Sequence, residues 1–390
     1  MSLRLAPFLA VLLMPLSLFP AIAADFNGVS KEPEAEPVVV PFQVINHIPF
    51  VEVRAGGRKW MFVLDTGAAR CVVGEEFALE VVGRTSDPTL SDANVRGAAG
   101  DLKKLSVVVA PVLWAGPKPF INVETIVQDF SQFRSAGRPV DGILGFDLFR
   151  NTRWTIDYSG KQLRLAPLEG PPLPEATSLT YTVREGMPHL NVACQDQRMD
   201  FVIDTGSGGG FEVPAGRREF EFIYGPRPGS VMVTANGARP SRIGRLAGSI
   251  KLAGLEFVEP TVTGMPEALA FLGGQVLENY AITFDPKRSE VQLLPNRTEP
   301  VHLPAIRSLG IVFDRATEPW RILQVLDDTP AKGLPIETGD GCVQINGEPL
   351  AKWPRERYDR EIDRAATMRL RLARGGMEFE VTVPISTLVP

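Results

Sequence analysis

Phe62-Val63-Leu64-Asp65-Thr66-Gly67 and Phe201-Val202-Ile203-Asp204-Thr205-Gly206 are two versions of one hexapeptide, 139 positions apart (204 − 65). The correspondence continues upstream, with Pro49 on Pro188, Val53 on Val192 and basic Lys59 on basic Arg198. Asp and Gly are common turn formers, so one Asp-Thr-Gly would mean little. Two copies, each delivered by a Phe-Val-aliphatic run of strand character, point to a duplicated β unit. A second pair of elements follows. Asp141-Gly142-Ile143-Leu144-Gly145 leads to Trp154-Thr155-Ile156-Asp157 and Leu163-Arg164-Leu165. Phe271-Leu272-Gly273 leads to Ala281-Ile282-Thr283-Phe284-Asp285 and Val291-Gln292-Leu293. Both Gly-to-Asp intervals are 12 residues (157 − 145 and 285 − 273). The offset here is 128 (273 − 145), so the second copy is shorter between the two fixed points, where a surface loop tolerates a length change. Two β-domains with turn-forming Asp residues are the plainer alternative.

The paired loops resemble those of the aspartic proteases, in which each half supplies one of two facing carboxylates and an apolar-apolar-Gly strand crosses behind each loop. The resemblance implies an all-β fold with two retropepsin-like lobes in tandem about a pseudo-two-fold axis, residues 38–166 and 175–297. It implies Asp65 and Asp204 as the catalytic pair. Thr66 and Thr205 would cross-brace the loops, and Gly67 and Gly206 would let backbone approach the carboxylates without a Cβ. Ser207 is placed to hydrogen-bond Asp204, whereas Ala68 has no hydroxyl to offer Asp65, so the two acids are not equivalent. Carboxyls that close cannot both ionise readily, and one proton is shared. No tyrosine lies between Gly67 and Gly145, so the pepsin-type flap tyrosine is missing. Gly97-Ala98-Ala99-Gly100 looks like a retroviral-type flap tip or a plain hairpin turn, and Asn236-Gly237 is the matching turn in the second copy.

Residues 305–390 resemble, in the order of their pieces, the PDZ domains of bacterial exported proteases. Ile322-Leu323-Gln324-Val325-Leu326 precedes a Pro330-Ala331 step, then Gly339-Asp340 and Ile345-Asn346-Gly347. The resemblance implies a small α+β domain in which Leu309, Gly310 and Ile311 receive a peptide C-terminus. A generic small β-domain is the competing reading.

Other features bound the class. At 390 residues the chain is long enough for two or three domains, and its formal net charge of −5 without a Lys/Arg-rich run argues against nucleic acid. Residues 1–24 read as a secretory signal peptide: Arg4, an apolar run from Leu5 to Pro20, and Ala21-Ile22-Ala23 before the cleavage point. An uncleaved anchor is the alternative. No later segment has the apolar length of a membrane span, so an exported, periplasmic or secreted monomer is expected. Residues 25–37 and the proline-rich segment Pro167 to Pro174 read as linkers. Short helices are expected at Asp147–Arg150 and Val276–Asn279. Three cysteines, Cys71, Cys194 and Cys342, give no disulfide framework; Cys71 with Cys194 is open, and buried thiols are the simpler state. Arg153 and Arg164 read as surface groups, and His47 and His189 as sheet-edge residues. Only three histidines occur, with no His-Glu-x-x-His, no Gly-x-Ser-x-Gly and no Ser-x-x-Lys. No metal ligand spacing and no cofactor motif is present. The expected activity is peptide-bond hydrolysis on polypeptide substrates; a non-catalytic peptide-binding or scaffolding protein of the same fold is the alternative.

Overall fold

The computed structural model describes residues 36–83, 92–96, 102–130, 140–170, 173, 175–214, 220–234, 237–265, 269–315 and 317–390. The expected leader 1–24, most of the first linker, the turn residues Gly97–Gly100 and Asn236, and three of the linker prolines lie outside them. The described chain is mostly strand.

The repeat governs the sheet. Strand Val38–Ile45 bends at its middle: Val38–Pro41 pairs with Leu165–Gln162, and Phe42–Ile45 pairs with Val51–Ile48. In the second copy the same stretch is two strands, Thr177–Thr180 on Leu293–Glu290 and Thr182–Arg184 on His189–Met187. The copies join where strand Arg153–Asp157 runs antiparallel to Tyr280–Asp285, pairing Trp154 with Phe284, Thr155 with Thr283 and Ile156 with Ile282. Thr155 and Thr283 are counterparts by the 128-residue offset (283 − 155), and each meets the other, Oγ1 to Oγ1 at 2.7 Å. A local two-fold axis therefore passes through that pair.

Apolar alternation explains why this base sheet is buried. Trp154 stacks between Phe149 (4.4 Å) and Phe284 (4.7 Å), and one core runs continuously from Val40 to Leu303 through both copies. Arg153 is not a surface group. It is buried, with Nη2 3.0 Å from Gln292 Oε1 and Nε 3.9 Å from the fully buried Asp285, because its strand lies inside the joined sheet. The three cysteines are free and buried, and burial pushes the Cys71 and Cys342 thiols up to about 12 and Cys194 to about 11. The short helical turns are Phe146–Phe149 and Gly274–Leu277, within a residue or two of expectation.

Residues 309–385 contribute a separate apolar cluster around Ile322, Met368, Leu370 and Val383. Its sheet has Ile311–Asp314 at one edge, next to Trp320–Val325. Pro330–Gly333 forms a 3-10 turn at the expected Pro-Ala step, and an unforeseen helix, Arg355–Arg364, packs Tyr358 and Ile362 inward. Strand Ser386–Val389 pairs with Ile306–Ser308 and lies against the hairpin Phe222–Thr234/Gly237–Leu246. There the Arg227 guanidinium reaches the carbonyls of Asp328 and Leu388. Among the described residues, no helix is long and apolar enough to cross a membrane.

Candidate active site

Strands Arg58–Asp65 and Gln197–Ile203 run parallel to Gly142–Gly145 and Ala270–Leu272 respectively, and each delivers its Asp-Thr-Gly loop to the axis. The glycines of the downstream element make room. A Cβ at Gly145 would overlap the backbone of Arg70, and one at Gly273 the backbone of Gly209. The closed approach is fixed by Phe146 N–H donating to Ala68 O and Gly274 N–H to Ser207 O, both at 2.8 Å.

Thr66 and Thr205 are fully buried and brace each other reciprocally. Thr66 Oγ1 donates to Ile203 O (2.5 Å) and accepts from Thr205 N (3.0 Å). Thr205 Oγ1 donates to Leu64 O (2.7 Å) and accepts from Thr66 N (3.1 Å). Each hydroxyl thereby uses its one proton and one lone pair on the other copy's backbone.

The carboxyls of Asp65 and Asp204 approach each other across the axis, each packed against the glycine of the opposite loop. Asp65 Oδ1 accepts from the N–H groups of Gly67 (2.8 Å) and Ala68 (3.0 Å); Asp204 Oδ1 accepts from Gly206 (2.9 Å) and Ser207 (3.2 Å). A Cβ on Gly67 would overlap Asp204 Cγ, and one on Gly206 would overlap Asp65 Cγ. Glycine is therefore required by the approach of the opposite acid. Burial holds both acids above the ordinary carboxylate range. Asp204 stands well above it, with the charge of Asp65 and then that of Glu212 adding to desolvation. Such a pair retains a proton where a free aspartate has none, and can offer a proton and a base together.

Several residues around the pair depart from the sequence reading. The Ser207 hydroxyl does not turn to Asp204: it donates to Glu212 Oε1 (2.5 Å) and accepts from Gly209 N (3.0 Å). His189 is not at an edge. It is buried within strand Met187–Cys194, with Nδ1 2.9 Å from Asp200. His47 sits in the turn before Ile48, at positive φ, and its Nδ1 meets Glu278 of the second copy at 2.8 Å. Tyr158, also unforeseen, is buried, and its phenol is pushed well above its usual range, first by burial and then by the charges of Glu278, Asp204 and Asp65. A cavity of about 30 Å³ beside Asp65 is walled by Ile48, Phe50, Val63, Val140 and Ile143. Leu309, Gly310 and Ile311 are remote in sequence from these loops. Leu309 is buried, Gly310 has φ +76° and donates its N–H to Ser308 Oγ (3.0 Å), and Ile311 opens the edge strand.

Residues 51–148 match the family model described as "Aspartyl protease". Among solved structures, a similar chain is a retropepsin-like aspartic protease from Rickettsia conorii, with 18% identity over 33% of this chain and 89% of that one. The TM-score is 0.25. No curated protein matches. The matched segment runs from strand Ile48–Ala55 through the first Asp-Thr-Gly loop to the turn Phe146–Phe149.

Proposed function

We propose that the protein is an exported aspartic endopeptidase whose two copies are tandem acid-protease lobes, 38–166 and 175–297, sharing one active site as a monomer. The observation that carries this reading is the close approach of the two Asp-Thr-Gly loops, each glycine packed against the opposite aspartate, locked by reciprocal threonine bonds across the axis. A water between such carboxyls loses a proton to the ionised one while the protonated one donates to the peptide carbonyl, and collapse of the resulting tetrahedral species breaks the C–N bond. Thr66, Gly67, Thr205, Gly206 and Ser207 hold this geometry, and no metal or cofactor takes part.

Residues 305–390 are proposed as a PDZ-like domain that adds a peptide to the Ile311–Asp314 edge and seats its C-terminal carboxylate near Leu309-Gly310-Ile311. The leader supports export to the periplasm or beyond. The deciding experiment is cleavage of a denatured protein mixture from about pH 3 to 7, with and without pepstatin, for wild type, Asp65→Asn and Asp204→Asn. Pepstatin-sensitive cleavage lost in both variants is expected. Folded wild type with no cleavage at any pH points instead to a non-catalytic peptide-binding scaffold. Activity retained in Asp204→Asn refutes the intramolecular pair.

A further inference from the structure

The two copies present equivalent rows of residues across their sheets, and in the first copy that row includes Phe50, Val63 and Ile143 of the cavity wall. In the first, register pairing runs Phe50, Val63, Ile143, Val72, Ile126. In the second it runs His189, Val202, Phe271, Glu212, Thr263. Glu212 thus occupies the place of Val72, although the 139-residue offset would set it on Val73. The loop Ser207-Gly208-Gly209-Gly210 carries one residue more than Ala68-Ala69-Arg70. Two differences go together. Where the first copy has Ala68 and Val72, the second has Ser207 and Glu212, and these two bond to each other.

A buried carboxyl replacing a valine costs stability unless it is well bonded. Here the site is built for it. Glu212 is 4% exposed, and a Cβ on Gly209 would overlap its Oε1. A Cβ on Gly273 would come within 3.0 Å of the Ser207 hydroxyl that holds it. Phe271 and Thr263 are its neighbours on the flanking strands, with Ser207 and Gly209 on the loop and Asp204 at the end of Gln197–Ile203. Of these, Asp204 alone titrates. His189, in the same row, is engaged at Nδ1 by Asp200, which Arg184 also holds. Gln275 and Glu278 come from helix Gly274–Leu277 and its end, and Glu278 is paired with His47.

We propose that Glu212 is a positioning carboxylate: ionised and fixed by Ser207, it keeps the shared proton on Asp204 and so leaves Asp65 as the base. This rests on the Asp65/Asp204 site being hydrolytic. The attacking water then gives its proton to Asp65 as its oxygen bonds to the carbonyl carbon. Asp204 gives its proton to the carbonyl oxygen, forming a gem-diol; the proton gained by Asp65 then goes to the leaving amine as the C–N bond breaks, and one gem-diol hydroxyl returns a proton to Asp204 as the product carboxyl forms. The electrostatics agree, since the charge of Glu212 adds to burial in raising Asp204 and is not among the main influences on Asp65.

The test has two arms. In wild-type protein with ¹³C-labelled carboxyls, NMR titration should show Glu212 ionised while the Asp pair still holds one proton. In Glu212→Gln, which keeps an acceptor for Ser207, the alkaline limb of the kcat/KM profile should move down by about one pH unit, with the acidic limb and KM unchanged. A Glu212 that is still protonated when the pair loses its last proton overturns the proposal, as does a superimposable profile. Should Glu212→Gln fail to fold, the wild-type titration decides. A wild type that cleaves nothing refutes the hydrolase reading and is separable, because the titration needs no turnover.

Discussion

Thr205→Val is the sharpest probe of the brace, because it keeps the shape of the side chain and removes one hydroxyl. That hydroxyl donates to Leu64 O at 2.7 Å and accepts from Thr66 N at 3.1 Å, in a place where Leu64, Thr66 and Thr205 are all fully buried. No water can replace it without opening the loops. Two backbone groups are orphaned, each worth roughly 1–3 kcal/mol of desolvation, so the expected loss is about 2–6 kcal/mol. Thr205→Ser keeps both bonds and loses one buried methyl, about 1 kcal/mol. The assay is urea unfolding of the three proteins at one pH, with m-values compared so that changes in the denatured state are seen. Thr66→Val orphans Ile203 O and Thr205 N, so the single effects should be similar. The double variant should cost less than their sum, since the loops have already separated. Thr205→Val no more destabilising than Thr205→Ser would refute the brace as a structural lock.

The other predictions are briefer. Asp204 is raised in the folded state by burial first and by Asp65 next, so the fold binds a proton that the unfolded chain, titrating near 3.9, has lost. That stability is complete below about pH 4 and falls as pH rises through the folded value; Asp204→Asn should flatten this decline in thermal melts across pH. Gly206→Ala should abolish cleavage, because its Cβ overlaps Asp65 Cγ, and should leave far-UV circular dichroism near that of wild type; retained activity would contradict the close approach. Arg227→Ala frees the carbonyls of Asp328 and Leu388, and should cost about 1–2 kcal/mol and separate the unfolding of residues 305–390 from the rest in calorimetry. A single unchanged transition would show that this contact does not couple them.

What could be read from sequence was whatever repeats. Asp65 and Asp204, their threonines and glycines, and Gly145 and Gly273 recur at fixed spacing because each meets its counterpart or the loop behind it, so the constraint is written twice. Glu212 was missed because it belongs to one copy only, and an extra loop residue puts it out of register with Val72. Arg153 opens a strand whose Thr155 and Asp157 are also polar, and its partners Gln292 and Asp285 are more than a hundred residues away, beyond any local pattern. Helix Arg355–Arg364 is almost wholly charged, and only Tyr358 and Ile362, four apart, mark its inner face. The Ser207 hydroxyl turns from Asp204 for a related reason: its acceptor, Glu212, has no counterpart in the first copy.

The contact of Thr155 with Thr283 bears on the symmetry of the pairing. Were each copy a separate chain forming a symmetric dimer, the residue on the axis would have to bond to its own duplicate, whereas residues off the axis would meet unlike partners reciprocally. A hydroxyl, at once donor and acceptor, can do this; an arginine or a glutamate cannot without facing a like charge. In one continuous chain that restriction is gone, and either threonine is free to drift toward an unlike partner. The pair at 2.7 Å thus meets the self-pairing demand of an exact two-fold although one chain does not impose it.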